Sequence, residues 1–302
     1  MTAKIISGNE IAQEIRVELK ERVAKLKERG VTPGLVMIRV GEDPASVSYV
    51  SGKEKAAEEI GIWSQTIVFP ESASEQQLLA KVEEMNKAEH VDGILVQLPL
   101  PKHIDADKVL NAINPAKDVD GFHPINVGKM LIGNPYFLPC TPHGVVELLI
   151  RSGNSPAGKH VVICGRSNIV GKPLMAMLVQ KNERANATVT VVHTGTKDMA
   201  KITKKADILI AAMGSAEVIK PDMVKKGAVV IDVGVNQVGW KPSKTDPTKM
   251  VRDIRGDVEF ETVKEKAKAI TPVPGGVGPM TVTMLMVNTV TAAERRAERM
   301  KK

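Results

Sequence analysis

Seven short apolar runs restrict this chain more than any other feature. "GLVMIRVG" (34–41), "WSQTIVF" (63–69) and "VDGILVQLPL" (91–100) form a first series. "KHVVICG" (159–165), "ATVTVVH" (187–193), "ADILIAAMG" (206–214) and "AVVIDVGV" (228–235) form a second. Amphipathic stretches such as "SEQQLLAKVEEMNK" (74–87) lie between them. Strand-like runs alternating with helical patterns imply βαβ units and parallel sheets, so the expected fold class is α/β. With 302 residues, two domains are expected. "PCTPHGVVELLIRSG" (139–153) reads as a connecting helix, with Thr141 as its cap, Pro142 as its first residue and Gly153 at its end. "QVGWKPSKTDPTKMVRD" (237–253) is polar and turn-rich and reads as a surface excursion, and "ITPVPGGVGP" (270–279) is loop-forming. The closing "MTVTMLMVNTVTAAERRAERM" is rich in strand-favouring threonine and valine, but its length and charged end predict a helix.

Composition narrows the function classes. Hydrophobic residues at 43% and charged residues at 25% are ordinary for a soluble globular protein. No stretch approaches the ~18 uninterrupted apolar residues of a membrane span. The start "MTAKIISGNEIAQEI" shows no long apolar run and no cleavage signal, so no secretory peptide is expected. Cys140 and Cys164 are the only cysteines and cannot build a disulfide framework, which fits a reducing cytoplasm. Net charge is +7, and the tail "RRAERMKK" carries five bases against one acid, a favourable balance at a helix C-terminus. Aromatic residues make up only 3%, leaving few platforms for stacking nucleic-acid bases, so a small acidic ligand suits the charge better.

The stretch "VVICGRSNIVGKPL" (161–174) is a strand, a glycine turn and a helix start. Gly165 permits the tight turn, Gly171 permits close packing where the helix begins, and the helix N-terminus offers N–H groups to a phosphate. The spacing is not G-x-G-x-x-G, because Ser167 stands where the second glycine would be. NAD sites place an acid at the end of the following strand for the ribose 2′-hydroxyl. Here that strand ends in His193, Thr194 and Gly195, with Lys197 close by and Arg166 in the glycine turn. Cationic and hydroxyl side chains without a carboxylate suit a 2′-phosphate, which favours NADP over NAD. "AAMG" (211–214) and "VGVN" (233–236) end two further strands, and Gly214 and the turn at Val235 admit a ligand near the backbone; simple turn chemistry would explain them as well.

"DPASVSYVSGKEKAAEEIG" (43–61) carries a helix start at Asp43-Pro44 and a stop at Gly61. A helix over 44–60 puts Tyr49 and Lys53 on one face, beside the apolar stripe of Ala56, Ala57 and Ile60. A lysine beside an apolar face loses solvation, which lowers its pKa and permits proton transfer; the alternative is an ammonium that snorkels into water. Gly52 in mid-helix costs about 1 kcal/mol against alanine, a cost with a rationale if something packs closely there. Gln97 ends an apolar strand and needs a polar partner. "KDVDGFHP" (117–124) places Asp118 and Asp120 on a loop, where one carboxylate can take two N–H groups from a nitrogen heterocycle and the other can serve the turn. The six histidines show no metal-binding spacing, Cys140 and His143 form only a lone C-x-x-H, and no G-x-S-x-G or P-loop is present, so no metal is expected. Cys140 reads as a buried thiol rather than a nucleophile.

Taken in order, the segments "VGEDPASVSYVSGKEKAAEEIGI", "GILVQLPLP", "KDVDGFHPINVGKM", "PCTPHGVVELL", "VVICGRSNIVGKPLMAML", "VIDVGVN", "GDVEF" and "TPVPGGVGPMTVTML" run almost end to end along the chain. Together they resemble the bifunctional methylenetetrahydrofolate dehydrogenase/cyclohydrolase (FolD) family. The resemblance implies two α/β domains with a cleft between them. The folate-binding domain would span 1–141 and be completed by 279–302, where the last helix returns; the Rossmann-type domain would span 142–278. It implies a homodimer through the Rossmann domains. The implied reaction is oxidation of 5,10-methylenetetrahydrofolate to the 5,10-methenyl form with NADP+, then hydrolysis to 10-formyltetrahydrofolate, without metal. By position, Lys53 resembles the family's catalytic lysine, Tyr49 the aromatic residue on the folate, Gln97 the glutamine that tunes the lysine, and Asp120 the carboxylate that holds the pterin. Arg166, Ser167, Ile169 and Thr194 match cofactor-contacting positions, and Pro272, Gly275 and Gly276 match a segment near the reacting atoms. Thr194 stands where some members have serine and others a base. Some relatives keep the dehydrogenase with little cyclohydrolase activity. A different two-domain dehydrogenase, or a nucleotide-binding protein without catalysis, would leave "KDVDGFHP" and "GILVQLPLP" unexplained.

Overall fold

The structure, a computed structural model, describes residues 2–243, 246 and 248–300. Lys301 and Lys302 of the basic tail, and three residues of the expected surface excursion, lie outside the described residues. In chain order the elements are β1 (Lys4–Ile5), α1 (Gly8–Glu28), β2 (Gly34–Val40), α2 (Pro44–Ile60), β3 (Trp63–Phe69), α3 (Glu75–Lys87), β4 (Gly93–Val96), α4 (Ala106–Ala112), α5 (Pro124–Leu131) and α6 (Cys140–Arg151). They continue with β5 (His160–Cys164), α7 (Gly171–Leu178), β6 (Thr188–Val192), α8 (Met199–Thr203), β7 (Ile208–Ala211), β8 (Val229–Asp232), β9 (Asn236–Pro242), β10 (Met250–Arg255), α9 (Phe260–Val263), β11 (Ala269–Ile270) and α10 (Val277–Arg299). All seven apolar runs form strands, β2 to β8. The chain divides into two compact units, Gln13–Cys140 with Val282–Lys302, and Met1–Ala12 with Thr141–Thr281.

The first unit is built on a parallel sheet ordered β3-β2-β4. Every residue of the central strand β2 is buried, which is why "GLVMIRV" is a continuous apolar run rather than an alternating one. The helix over 44–60 forms with the expected bounds: the Asp43 carboxylate accepts from the Ser46 N–H at 2.8 Å, and Gly61 closes it at φ +87°. Ser74 and Gln77 form a capping box at the start of α3. The closing helix α10 joins this unit through its C-terminal part. Arg22 of α1 donates to Glu294 from Nε at 2.9 Å and from Nη2 at 2.8 Å, and Arg296 donates to the buried Asp92 from Nε at 2.7 Å and Nη2 at 2.9 Å.

A six-stranded sheet ordered β1-β11-β8-β7-β5-β6, parallel throughout, forms the second unit. From β5 the chain steps outward to β6 and then returns to β7 on the other side of β5. The order therefore reverses between β5 and β7, the place where open α/β sheets leave a crevice at their carboxyl ends. Three features add detail that the sequence did not carry. Residues 2–12 cluster with this unit, where Lys4 and Ile5 pair with Ala269 and Ile270; two-residue strands are too short to register as periodicity. The excursion at 237–253 is an antiparallel hairpin, β9 with β10. Helix α6 starts two residues early, at Cys140, and the Thr141 hydroxyl meets Thr281 Oγ1 at 2.9 Å instead of capping.

Two glycines test this packing in opposite senses. A Cβ on Gly8 would stand 1.7 Å from the Gly276 carbonyl oxygen, whereas a Cβ on Gly52 meets no described atom within 4 Å. Gly8→Ala should destabilise by about 1–3 kcal/mol, and Gly52→Ala should stabilise by about 0.5–1 kcal/mol. Denaturant unfolding of the two variants checks this; equal midpoints would contradict it.

Candidate active site

Lys53 lies half-buried on α2, four residues after the exposed Tyr49 and on the same helical face. Its Nζ donates to Gln97 Oε1 at 2.9 Å. Gln97 directly follows β4, and its backbone N–H donates to the Ile38 carbonyl at 2.8 Å, which holds the residue at the carboxyl end of the sheet. Its own Nε2 donates to the Leu98 carbonyl at 2.7 Å, so the amide is oriented with its oxygen towards the ammonium. Burial pushes the Lys53 pKa below the ordinary 10.5, while the charges of Asp120 and Cys140 oppose that shift.

Asp120 reaches this cluster from the 117–124 loop. That segment lies along β4, with the Ile94 N–H donating to the Lys117 carbonyl at 2.8 Å. Gly93 makes the approach possible, since a Cβ there would stand 2.8 Å from both methyl groups of Val119. The two aspartates have different surroundings. Asp118 is buried and closes the turn, accepting from the His123 N–H and Asn126 Nδ2, each at 2.8 Å, and from the Phe122 N–H at 3.3 Å. Asp120 is left facing Lys53. Burial raises its carboxyl pKa, Lys53 lowers it, and the neighbouring Asp118 raises it further.

Cys140 completes the group. It is 1% exposed, and its Sγ donates to the Val119 carbonyl at 3.4 Å. Burial, then the Asp120 charge, push its thiol well above the ordinary value, so a thiolate nucleophile is disfavoured. The sequence reading missed Asn288. From α10, its Nδ2 donates to the Val119 carbonyl at 2.8 Å and the Leu138 carbonyl at 2.9 Å, bracing the residues that precede Asp120 and Cys140. A lone asparagine in an apolar helix was the available signal. The close packing expected at Gly52 is not made by any described residue.

The nucleotide-binding candidates gather at one edge of the six-stranded sheet. Gly165, Arg166, Ser167, Ile169 and Gly171 form the turn from β5 to α7, Thr194 follows β6, Gly214 follows β7, and Val235 follows β8. Gly165 takes φ +131°, and a Cβ there would stand 2.1 Å from the Ala212 carbonyl oxygen, so only glycine lets the ends of β5 and β7 meet at the reversal point. Gly171 is equally constrained, 2.1 Å from the Gly165 carbonyl oxygen. The helix N-terminus itself offers less than expected. Ser167 Oγ already accepts from Val170 at 3.1 Å and Gly171 at 3.4 Å, and the Lys172 N–H donates to the Ser167 carbonyl at 3.1 Å. The free donors are one step earlier: among the described residues, the amides of 166–169 make no hydrogen bond. Arg166, Ser167 and Thr194 are exposed, as are Ile169 at 46% and Val235 at 51%. In the same unit Pro272, Gly275 and Gly276 follow β11, and the Gly275 carbonyl accepts from the N–H groups of Gly8 at 2.8 Å and Asn9 at 3.2 Å. Among the described residues, no group of three His, Cys, Asp or Glu side chains could hold a metal ion.

Comparison with known proteins covers both units. The family model "Tetrahydrofolate dehydrogenase/cyclohydrolase, catalytic domain" matches residues 6–120, and "Tetrahydrofolate dehydrogenase/cyclohydrolase, NAD(P)-binding domain" matches 139–297. The bifunctional protein FolD of Syntrophus aciditrophicus (strain SB) is 59% identical over 297 residues, covering 98% of this chain and 99% of that protein. Among solved structures, the bifunctional FolD enzyme of Campylobacter jejuni is 45% identical with a TM-score of 0.89, covering 97% of this chain and 99% of that one. The Trypanosoma brucei methylenetetrahydrofolate dehydrogenase-cyclohydrolase, solved with NADP and an inhibitor, is 41% identical with a TM-score of 0.90 over 98% of both chains.

Asp118 gives a test of the loop geometry. Asp118→Ala leaves three N–H donors without their acceptor, two of them at 2.8 Å, and each buried orphan costs about 1–3 kcal/mol. The variant should unfold at clearly lower denaturant than the unaltered protein; an unchanged midpoint would contradict the assignment of Asp118 to the turn.

Proposed function

The chain belongs to the tetrahydrofolate dehydrogenase/cyclohydrolase family, and on that premise we propose how its residues serve two linked reactions: oxidation of 5,10-methylenetetrahydrofolate to the 5,10-methenyl form with NADP+, and hydrolysis of that product to 10-formyltetrahydrofolate. The observation that carries the assignment is the Lys53 ammonium, withdrawn from water, held by Gln97 at 2.9 Å and faced by Asp120.

NADP+, when bound, accepts the hydride. The free amides of 166–169 and the Gly165 turn fit its pyrophosphate, and exposed Arg166 and Thr194 fit a 2′-phosphate. Ser167, Ile169, Gly171, Gly214 and Val235 complete the set of contacting positions. Asp120 accepts N–H groups of the pterin ring and so orients the substrate. The Tyr49 ring packs on the substrate face, supported by its exposure on the Lys53 side of α2. In the hydrolytic step the neutral Lys53 amine takes a proton from the water whose oxygen bonds to the methenyl carbon. The resulting ammonium gives that proton to N5 as the N5–carbon bond of the carbinol breaks, while the carbinol hydroxyl releases its own proton to solvent and becomes the carbonyl of the formyl group left on N10. Gln97 keeps the Lys53 nitrogen in one position through both transfers.

The reading extends to a cytoplasmic homodimer paired through the nucleotide-binding unit. Two buried free cysteines support the reducing compartment. Support for pairing comes from β9–β10, where Val238, Trp240 and Met250 leave 47%, 62% and 56% of their surface exposed on one face of the hairpin. Trp240→Glu should convert a dimer to a monomer by light scattering, and unchanged mass would remove the hairpin from the interface.

A coupled assay that follows the methenyl intermediate with NADP+ or NAD+ tests the chemistry. The unaltered protein should turn over with NADP+ and release 10-formyltetrahydrofolate. Lys53→Ala should lower hydrolysis by about 10²-fold or more while NADP+ binding stays intact. No turnover with either cofactor would sink the reading. Oxidation without hydrolysis would leave a dehydrogenase alone.

A further inference from the structure

Two buried carboxylates lie under the nucleotide-binding edge, and none of the roles above uses them. Asp257, in the "GDVEF" segment, is 0% exposed. Its Oδ2 accepts from the N–H groups of Met213 at 2.5 Å and Gly214 at 3.0 Å. Its Oδ1 accepts from the Ser215 N–H and from Asn236 Nδ2, both at 2.9 Å. Asp232, at the end of β8, sits behind it and accepts from the N–H groups of Asp257 at 2.9 Å, Val258 at 3.0 Å and Gly234 at 3.0 Å. The fit leaves no room for side chains. A Cβ on Gly234 would stand 2.2 Å from Asp257 Oδ1, and one on Gly256 would stand 1.8 Å from Asp232 Oδ2. Among the described residues no lysine, arginine or histidine pairs with either carboxylate; backbone and amide N–H groups satisfy them.

Three consecutive N–H groups converging on one anion make a nest of the kind that elsewhere cradles a phosphate. In this chain the protein fills that nest with its own carboxylate. The loop it holds, 213–215, follows β7, and Asn236 opens β9 directly after the loop that follows β8. Both loops carry positions assigned above to cofactor contact, Gly214 and Val235. We propose that Asp257 is a positioning residue for the NADP site: it ties the loops after β7 and β8 into one rigid rim and, by occupying the amides of 213–215, leaves the free amides of 166–169 as the place for the pyrophosphate. The inference rests on the NADP reading and deepens it.

Asp257→Asn is nearly isosteric but turns one acceptor oxygen into a donor that faces N–H groups. Calorimetric titration of the full chain should show the NADP+ dissociation constant rising about tenfold or more, with KM for NADP+ rising in step. Hydrolysis of methenyltetrahydrofolate, assayed without cofactor, should stay within about twofold of the unaltered rate, because Lys53, Gln97 and Asp120 belong to the other unit. A folded Asp257→Asn protein with unchanged NADP+ affinity overturns the proposal, as does an equal loss of both activities, which would mark general structural support. If that variant fails to fold, Asn236→Ala decides. It removes one donor from the same carboxylate and should weaken NADP+ about threefold, and an unchanged constant overturns the proposal. An unaltered chain that binds neither NADP+ nor NAD+ sinks the functional reading itself and this proposal with it.

Discussion

The chemistry proposed for this chain depends on keeping one ammonium partly out of water. A lysine on an exposed helix face is protonated at neutral pH and can only donate. Lys53 is half-buried, and burial destabilises its charged form, which makes the neutral amine accessible. Asp120 works against that shift and prevents it from running too far. Its own carboxyl is raised by the same burial, so the two groups compete for a proton rather than forming a simple ion pair. Gln97 contributes a neutral acceptor, which fixes the position of Nζ without adding charge.

Much of the first unit holds this arrangement in place. The bare surface at Gly93 lets Val119 press against β4, and Asp118 closes the turn that presents Asp120. Asn288 on the closing helix clamps the carbonyls of Val119 and Leu138. Arg22 with Glu294 and Arg296 with Asp92 anchor the same helix further along, towards its C-terminal end. The return of α10 is therefore part of the site's support, not a decoration of the chain's end. In the other unit the logic is steric and electrostatic together: glycine at 165 and 171 brings backbones within contact, and buried Asp257 gathers N–H groups from two loops.

The sequence carried the elements with strong local signals. Apolar runs of seven to ten residues became the four- to seven-residue strands β2 to β8, and the Asp43 cap, Pro44 and Gly61 gave α2 its observed bounds. Lys53, Gln97 and Asp120 do come together, although periodicity alone permitted only Tyr49 and Lys53 to share a face. The pairing of β1 with β11 was not legible, because it joins two-residue strands 265 positions apart (Lys4 with Ala269). Asn288, Asp232 and Asp257 were illegible for a related reason. Their roles are hydrogen bonds to backbone groups distant in sequence, and a single polar residue in an apolar or turn-rich stretch does not announce its partner. Gly52 taught the reverse lesson: a mid-helix glycine suggested close approach, and no described atom of this chain makes one.

Direct titration of Lys53 tests the account where it is most exposed. Lysine labelled with carbon-13 at the ε position, with Lys53→Gln to assign the signal, reports the protonation of Nζ by NMR in the intact protein. The account predicts a midpoint below the ordinary 10.5, so the neutral amine accumulates at lower pH than in a free lysine and hydrolysis rises through the same window. Replacing Asp120 with Asn should lower the midpoint further, because the aspartate charge holds it up. A midpoint at or above 10.5 would mean that the ammonium is not desolvated, and would contradict the assignment of Lys53 as the group that moves the proton.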